Sequence, residues 1–285
     1  MDPKLIADTE GMIVIPIQPQ LFSKTLCMKP KNLLFLLSIL MSLCSCNRYY
    51  YKPNGINTPL FTGGGQAHLN LDGSFGNPKN GKSTEGNTYF FDIQGSVSPV
   101  NHLALMANYS TYKYRVLNPD NASGHVDAAA HLLEGGIGGY YASQGRKVQM
   151  VTDLFVGYGG GPVRSDVNMD ARRFFVQPGI GMHSPWVDAA FNLRFSVLKF
   201  SDFNANGRSD DYLIGQKLID SRGRRIDEST YTFAEPGITI RAGYKFAKVQ
   251  FQMVLANEIS QVAWNYNAAR FTAGIYFSLE EAWKN

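Results

Sequence analysis

The sequence predicts an all-β fold, an up-and-down antiparallel β-barrel of about ten strands, and three observations lead to it. From Gly65 onward, apolar and polar residues alternate along about ten segments, which is typical of strands with one apolar and one polar face. The connections between these segments are alternately short and long. The composition favours strands and turns, with 15 Tyr, 18 Phe and 28 Gly, and charged residues make up only 18%.

The alternation is clearest between Val187 and Val197, where six apolar residues on one face oppose Asp188, Asn192, Arg194 and Ser196 on the other. The same pattern predicts nine further strands near 67–75, 89–97, 103–110, 133–141, 149–158, 173–182, 235–244, 249–255 and 270–277. A strand of ~9–11 residues crosses a bilayer when it is tilted, so these segments are long enough to span one.

Loop lengths decide between a membrane barrel and a soluble β-sandwich, whose strands also alternate. Short turns are predicted at 99–102, 143–147, 184–186 and 245–248, and long polar connections at 77–86, 113–130, 159–171, 200–232 and 257–268. Membrane barrels show this asymmetry between their two sides, whereas sandwiches do not alternate loop lengths so regularly. We therefore predict a transmembrane barrel over residues 63–279, followed by a short tail at 280–285.

Residues 28–45 have the three parts of a secretory signal. Lys29 and Lys31 form a positive head, residues 33–43 form an apolar run, and the run closes on Leu43-Cys44-Ser45-Cys46. An uncleaved transmembrane anchor is the alternative, but a core of roughly a dozen residues is short against the ~20 that span a bilayer. We expect cleavage before Cys46. Secretory heads normally sit at the start of a chain, whereas this one begins at Met28, so we interpret residues 1–27 as a miscalled upstream extension.

The ending of this signal resembles the lipobox of bacterial lipoproteins. In that family a leucine lies three residues before an invariant cysteine and a small residue lies just before it, as Leu43 and Ser45 do here. The resemblance implies a covalent lipid on Cys46, with residues 46–62 as an extended tether. Some Gram-negative lineages export lipoproteins that carry acidic residues after the cysteine. Asn47, Arg48 and Tyr49 lack them, so we expect the lipid in the inner leaflet of the outer membrane.

The segments from 65 to 279 resemble the outer-membrane β-barrel proteins of Gram-negative bacteria. The last one ends in Tyr276-Phe277-Ser278-Leu279, similar to the aromatic terminal strand that the barrel assembly machinery recognises, although the tail after it departs from the family. The resemblance implies outer-membrane lipid and that machinery as partners. An even number of strands would also place both termini in the periplasm.

Cysteine and charge content exclude several classes of function. No cysteine follows Cys46, so the predicted barrel has none for a disulfide, a thiolate metal site or a thiol nucleophile. The net charge of +4 is small and scattered, which gives no indication of nucleic acid binding.

Charged residues of both signs fall on the polar face of the predicted strands. An arginine that faces lipid near the midplane costs on the order of 2–4 kcal/mol, so these residues should face the lumen. Side chains nearly fill so small a barrel, and we therefore favour a salt-bridged plug over a pore. The predicted lumen charges are Asp92, Glu134, Asp153, Arg173, Asp188, Arg194, Glu235, Arg241 and Arg270.

These features predict a non-enzymatic surface or envelope role, in which the outer loops bind an unknown ligand or protein and the barrel is their rigid platform. A narrow channel is one alternative. A hydrolase with its site at the barrel rim is another, and its only candidate pairing is His131 with Asp127 or Asp170. Spacing fixes neither a nucleophile nor an orienting partner for that histidine.

The longest predicted loop contains a segment similar to the calcium loop of EF-hands. Oxygen ligands would come from Asp202, Asn204, Asn206, the Arg208 carbonyl and Asp210, with Gly207 at the sharp turn. Leu213 replaces the bidentate glutamate of the family, so only weak calcium binding is expected. An ordinary polar loop rich in Asn, Asp and Gly is the alternative.

Overall fold

The computed structural model describes residues 49–76, 88–117, 125–145, 147–244 and 246–280, without the side chains of residues 75, 76, 88, 114–117 and 125–127. Residues 1–27, the signal at 28–45 and Cys46 lie outside these ranges, so the roles assigned to them stay predictions. Within the described ranges, no helix is both long and apolar enough to span a bilayer.

Ten long strands form a closed antiparallel barrel in which each strand pairs with its sequence neighbour and the last pairs with the first. The strands are β1 (Gln66–Gly76), β2 (Thr88–Val100), β3 (Leu103–Leu117), β4 (His125–Ala142), β5 (Gln149–Arg164), β6 (Asn168–His183), β7 (Val187–Asn204), β8 (Thr230–Tyr244), β9 (Ala247–Leu255) and β11 (Ala269–Ser278). A two-residue strand, β10 (Asn257–Glu258), adds to β8 at one end. The predicted all-β, up-and-down barrel of about ten strands is confirmed.

The barrel wall has a polar inner face and an apolar outer face. Successive side chains of a strand point to opposite sides, and along β7 the buried residues Asp188, Asn192 and Arg194 alternate with the exposed Phe191 and Phe195. This is the alternation on which the sequence prediction rests, with the polar side chains turned inward.

The two ends of the barrel differ, as the loop lengths predict. We call the end that carries the connections 101–102, 143–148, 184–186 and 245–246 the turn end, and the opposite end the loop end. β1 begins and β11 ends at the turn end, where His68 lies opposite Ser278. The even strand count therefore brings the start of the first strand and the end of the last strand to the same end of the barrel.

Several strands are longer than predicted, and one predicted loop is largely strand. β5 and β6 each have 16 residues, so the connection expected over 159–171 shrinks to 165–167. The glycine run after Tyr158 allows the pairing to continue, because a Cβ at Gly159 would lie 2.2 Å from the carbonyl oxygen of Leu133.

The connection between β7 and β8, residues 205–229, packs on the loop end. It contains a short helix, α1 (Asp210–Gly215), and a 3₁₀ turn (Ile226–Glu228). The hydroxyl of Ser209 accepts a hydrogen bond from the backbone N–H of Tyr212 and caps α1. Its buried residues Leu213, Leu218 and Ile226 pack against a cluster of aromatic side chains at the loop end. These aromatic residues are Phe200, Tyr231, Phe233 and Trp264.

The chain that precedes β1 runs inside the barrel. Residues 49–62, which we call the lumen segment, enter at the loop end, where the Tyr50 N–H donates to the Asn265 carbonyl at 3.1 Å. They leave at the turn end, where the Gly64 N–H donates to Asn101 Oδ1 at 2.7 Å. The sequence predicts an extended tether over 46–62, and the described part of it, residues 49–62, lies inside the barrel. The segment has neither helical nor strand periodicity, so its apolar and polar residues do not mark a buried face.

A tight turn connects the lumen segment to β1. Gly65 has a φ of +77°, in the left-handed region that only glycine adopts at no cost. Its N–H donates to the carbonyl of Ser98 at 2.6 Å. At the preceding position, Gly64, a Cβ would lie 2.8 Å from the Asn101 nitrogen. The two glycines let the chain reverse against the β2–β3 turn.

Candidate functional site

Side chains of the wall satisfy the backbone of the lumen segment. An extended chain without a neighbouring strand has exposed N–H and C=O groups, and each must find a partner when it is buried. Gln252 meets both groups of Ile56, since its Oε1 accepts from the Ile56 N–H and its Nε2 donates to the Ile56 carbonyl, both at 2.8 Å. Asp92 accepts from the Gly55 N–H at 3.2 Å. The wall thus replaces the hydrogen bonds that a strand would supply.

A buried charge cluster surrounds Tyr51 of the lumen segment. Arg173 makes a bidentate pair with Glu134, with both N–O distances 2.7 Å, and also donates to the Tyr51 hydroxyl at 2.7 Å. The Tyr51 hydroxyl donates in turn to Glu235, which pairs with Arg194 at 2.5 Å. All four charged side chains are buried, so each depends on these partners for its solvation.

Two further arginines fasten the middle of the segment. Arg270 pairs with Asp92 at 2.6 Å and donates to the Pro53 carbonyl at 3.1 Å. Arg241 donates to the Thr58 carbonyl at 2.7 Å. Charged side chains of the wall therefore bond to one another and to the chain that they enclose.

Apolar contacts close the lumen near the turn end. Leu60 packs with Val151 and Ala190, and Phe61 stacks on the His68 ring with 4.5 Å between ring centroids. The other buried residues around Phe61 are Ala104, Met106, Tyr140, Phe155 and Phe175. The lumen segment thus fills the barrel with hydrogen bonds in the middle and with packed side chains at the turn end.

All nine predicted lumen charges lie on the inner face of the wall, namely Asp92, Glu134, Asp153, Arg173, Asp188, Arg194, Glu235, Arg241 and Arg270. Six of them form ion pairs through Arg173, Arg194 and Arg270, and Asp188 pairs with Lys248 at 2.7 Å. Sequence reasoning missed Lys248 because it counted this residue in a turn. It also missed Tyr51 and Asn54 of the lumen segment, whose polar groups complete the cluster.

A cavity of about 1170 Å³ lies at the loop end, between the β7–β8 and β9–β11 connections. Its apolar wall includes the buried residues Leu218, Ile226, Tyr231 and Trp264. Its remaining lining is polar and carries both signs of charge, from Lys217, Asp220, Arg222, Arg224, Glu228 and Glu258.

One side of the cavity is held by a tight turn around Asp220. Its Oδ1 accepts from the N–H groups of Arg224 and Arg222 at 2.9 and 2.8 Å, and its Oδ2 accepts from the Arg224 guanidinium at 2.8 Å. These hydrogen bonds, that from the Arg224 N–H above all, lower the pKa of the Asp220 carboxyl below its ordinary value. Gly223, with a φ of +76°, allows the turn. The turn therefore holds the Arg224 guanidinium and the backbone at Arg222 in place.

The predicted calcium loop has the hydrogen bonds of a polar turn. Asn204 Oδ1 accepts from the Asn206 N–H at 2.8 Å, and Asn206 Oδ1 accepts from Asn168 Nδ2 at 3.1 Å. Asp202 lies within β7 and Asp210 begins α1. In the described ranges, no group of three or more His, Cys, Asp or Glu side chains is placed to hold a metal ion. This geometry favours the polar-turn interpretation.

His131, the candidate for rim catalysis, lies on the exterior of the barrel. Its Nδ1 is 2.9 Å from the hydroxyl of Tyr109, and the two rings stack. Asp170 pairs with Arg164 at 2.8 Å, and the side chain of Asp127 lies outside the described residues. His131 is therefore bonded to a tyrosine rather than to the predicted Asp170.

Comparison with known proteins assigns no family. No protein-family model matches the chain, and no curated protein matches it significantly. Its function has to be inferred from the barrel, the lumen segment and the cavity.

Proposed function

We propose that this protein is an outer-membrane β-barrel lipoprotein whose lumen is closed and whose loop end binds a ligand at the outer surface. The contiguous apolar exterior supports a membrane location, because soluble monomers rarely expose large apolar patches. Its exposed residues include Phe91, Leu105, Leu133, Val156, Phe174, Ile180, Phe191, Phe195, Ile238, Ile240, Phe251, Phe271 and Ile275.

Exposed aromatic residues flank this apolar surface at both ends. Tyr89, Tyr109 and Tyr158 lie toward the loop end, and Tyr141, Trp186 and Tyr244 lie toward the turn end. Two aromatic girdles around an apolar band are typical of barrels in outer membranes, where the rings sit at the lipid–water interfaces. In such barrels the short turns face the periplasm and the long loops face outward.

The observation that carries the proposed role is the lumen segment. A ten-stranded barrel without it would enclose a polar interior, but residues 50–61 are all buried within this one. Transport through the lumen would require this segment to leave, together with its hydrogen bonds to Glu134, Asp92 and Gln252. We therefore assign the function to the loop end rather than to the lumen.

The cavity at the loop end is suited to a ligand with both apolar and polar groups. Its volume of about 1170 Å³ exceeds the ~300–1,000 Å³ of pockets for small molecules. A large ligand, or a projecting part of a partner, would fill it better than a metabolite. Trp264 and Tyr231 offer aromatic surface inside, and Lys217 and Arg222 offer exposed cations at the edge.

Planar-bilayer recording tests whether the barrel is closed. The full-length protein should insert without a stable single-channel conductance. A variant that lacks residues 49–62 should conduct, provided that it still migrates faster unboiled than boiled on a detergent gel, as folded membrane barrels do. Stable conductance of the full-length protein would contradict the closed barrel and favour the channel.

A loop replacement tests the binding role. Residues 210–228 would be replaced by a short Gly-Ser linker, and both proteins would be screened against envelope glycans and peptides. Any molecule that binds the full-length protein should bind the loop-replacement variant more weakly. The gel mobility of the variant should remain that of a folded barrel. Binders that keep their affinity would show that the cavity is not the binding site.

A further inference from the structure

The first described residues are fixed at the loop end. The Tyr50 N–H bonds to the Asn265 carbonyl, and the Tyr51 carbonyl accepts from the Asn267 N–H at 2.9 Å. The Tyr50 hydroxyl reaches the carboxylate of Asp166, in the β5–β6 connection, at 3.2 Å. These partners lie in two different loop-end connections, so the start of the lumen segment is held from two sides.

The last described residues lie at the opposite end. The Ser278 N–H, at the end of β11, donates to the Phe246 carbonyl at 2.9 Å in the β8–β9 turn. Next to β11 in the barrel, β1 begins at Gln66, directly after the lumen segment has left the lumen. The described part of the chain therefore starts at the loop end, passes once through the lumen, and finishes at the turn end after an even number of strands.

We infer that the mature N-terminus emerges on the outer surface, so that a lipid on Cys46 anchors the protein in the outer leaflet. This inference rests on the proposed function, which puts the loop end outside. Cys46 precedes Tyr49 by three residues, which span at most ~11 Å when extended. The apolar band of an outer-membrane barrel is about 25 Å tall, so three residues cannot return the lipid to the periplasmic leaflet.

This anchor position differs from the one that the sequence predicts. The absence of acidic residues after Cys46, together with the even strand count, indicated a periplasmic lipid and two periplasmic termini. The number of strands from β1 to β11 that cross the barrel is even, but the lumen segment adds one further crossing before β1. An odd total of crossings places the first and the last described residues at opposite ends of the barrel.

Cysteine labelling on intact cells tests the inference. No cysteine follows Cys46, and a lipidated Cys46 has no free thiol, so the natural protein should stay unlabelled. Three single variants would be compared: Arg48→Cys beside the anchor, Ser221→Cys on the exposed edge of the cavity, and Asn285→Cys at the C-terminus. The probe is a maleimide attached to a polyethylene glycol chain too long to pass outer-membrane pores, and gel mobility verifies folding.

We expect Arg48→Cys and Ser221→Cys to be labelled on intact cells, and Asn285→Cys to be labelled only after permeabilisation. If Ser221→Cys is labelled on intact cells while Arg48→Cys needs permeabilisation, the inference is overturned and the proposed function stands. If Ser221→Cys also needs permeabilisation, the outward loop end of the proposed function fails, and the surface anchor fails with it. The second site therefore tells the two failures apart.

Discussion

The lumen segment and the β7–β8 connection are both irregular stretches of chain, yet they are stabilised in different ways. The lumen segment takes its hydrogen bonds from other strands, as Ile56 does from Gln252. The β7–β8 connection takes many of its own from within, since Ser209 caps α1 and Asp220 holds the turn that follows. The first is therefore part of the barrel core, whereas the second is an attachment that packs on the loop end.

Their arginine–carboxylate pairs show the same difference. The Arg173 and Glu134 side chains are both 0% exposed, whereas those of Arg224 and Asp220 are 52% and 26% exposed. A buried ion has no water to replace a lost partner, while an exposed one does. In both pairs the arginine donates to the carboxylate through two nitrogens, at 2.7 Å in the buried pair and at 2.8–3.0 Å in the exposed one, so burial is the main difference in what each contributes to stability.

The largest expected effect is that of Arg173→Ala. Its removal leaves Glu134 and Glu235 buried with fewer partners, which should lower the free energy of unfolding by about 3–5 kcal/mol. Urea unfolding of the purified barrel in lipid vesicles measures this change. A loss below that of an exposed pair would mean that water reaches the lumen and that the segment does not seal it.

A smaller effect is expected where the lumen segment turns into β1. Gly65→Ala forces a side chain into the left-handed region and should destabilise the barrel by roughly 1–2 kcal/mol. Gly95→Ala is the matched control, because a Cβ there has no atom within 4 Å. It should change the unfolding midpoint little. Equal effects of the two substitutions would show that the turn is not tightly held.

The smallest effect is expected in the β7–β8 connection. Arg224→Ala removes a pair that is largely exposed, so the free energy of unfolding should change little. Proteolysis of the connection should become faster, since the turn around Asp220 loses a partner. A global loss comparable to that of Arg173→Ala would contradict the division into core and attachment.

The barrel wall was predictable because its physics is local to each strand. A strand between an apolar exterior and a polar lumen must alternate, so the pattern at Val187–Val197 predicts both β7 and the direction of Asp188 and Arg194. The ends of strands were less predictable, because β5 continues through glycines that a sequence pattern assigns to a loop.

The lumen segment could not be predicted in the same way. Its burial depends on partners far away in sequence, such as Glu134 for Asn54 and Gln252 for Ile56, and its own residues follow no period. One signal was present in the sequence. The predicted strands place many charges of both signs in a small lumen, and these charges need further polar partners there. A stretch rich in Asn and Thr, which could supply such partners, lies just before the first strand.

A single engineered disulfide tests most directly whether the lumen segment threads the barrel. The hydroxyl oxygens of Thr58 and Thr239, on the segment and on β8, are 3.4 Å apart, so cysteines at both positions can reach the ~2 Å of a disulfide with a small movement. Thr58→Cys with Ile240→Cys is the control, because Ile240 is exposed on the exterior face of the same strand.

Both double variants would be isolated from outer membranes and run unfolded on a non-reducing gel, with the single variants alongside. The threaded barrel predicts a bond between positions 58 and 239, seen as a mobility shift that reductant reverses, and no bond between 58 and 240. Free thiols at 58 and 239 in a correctly folded barrel would contradict the threaded lumen.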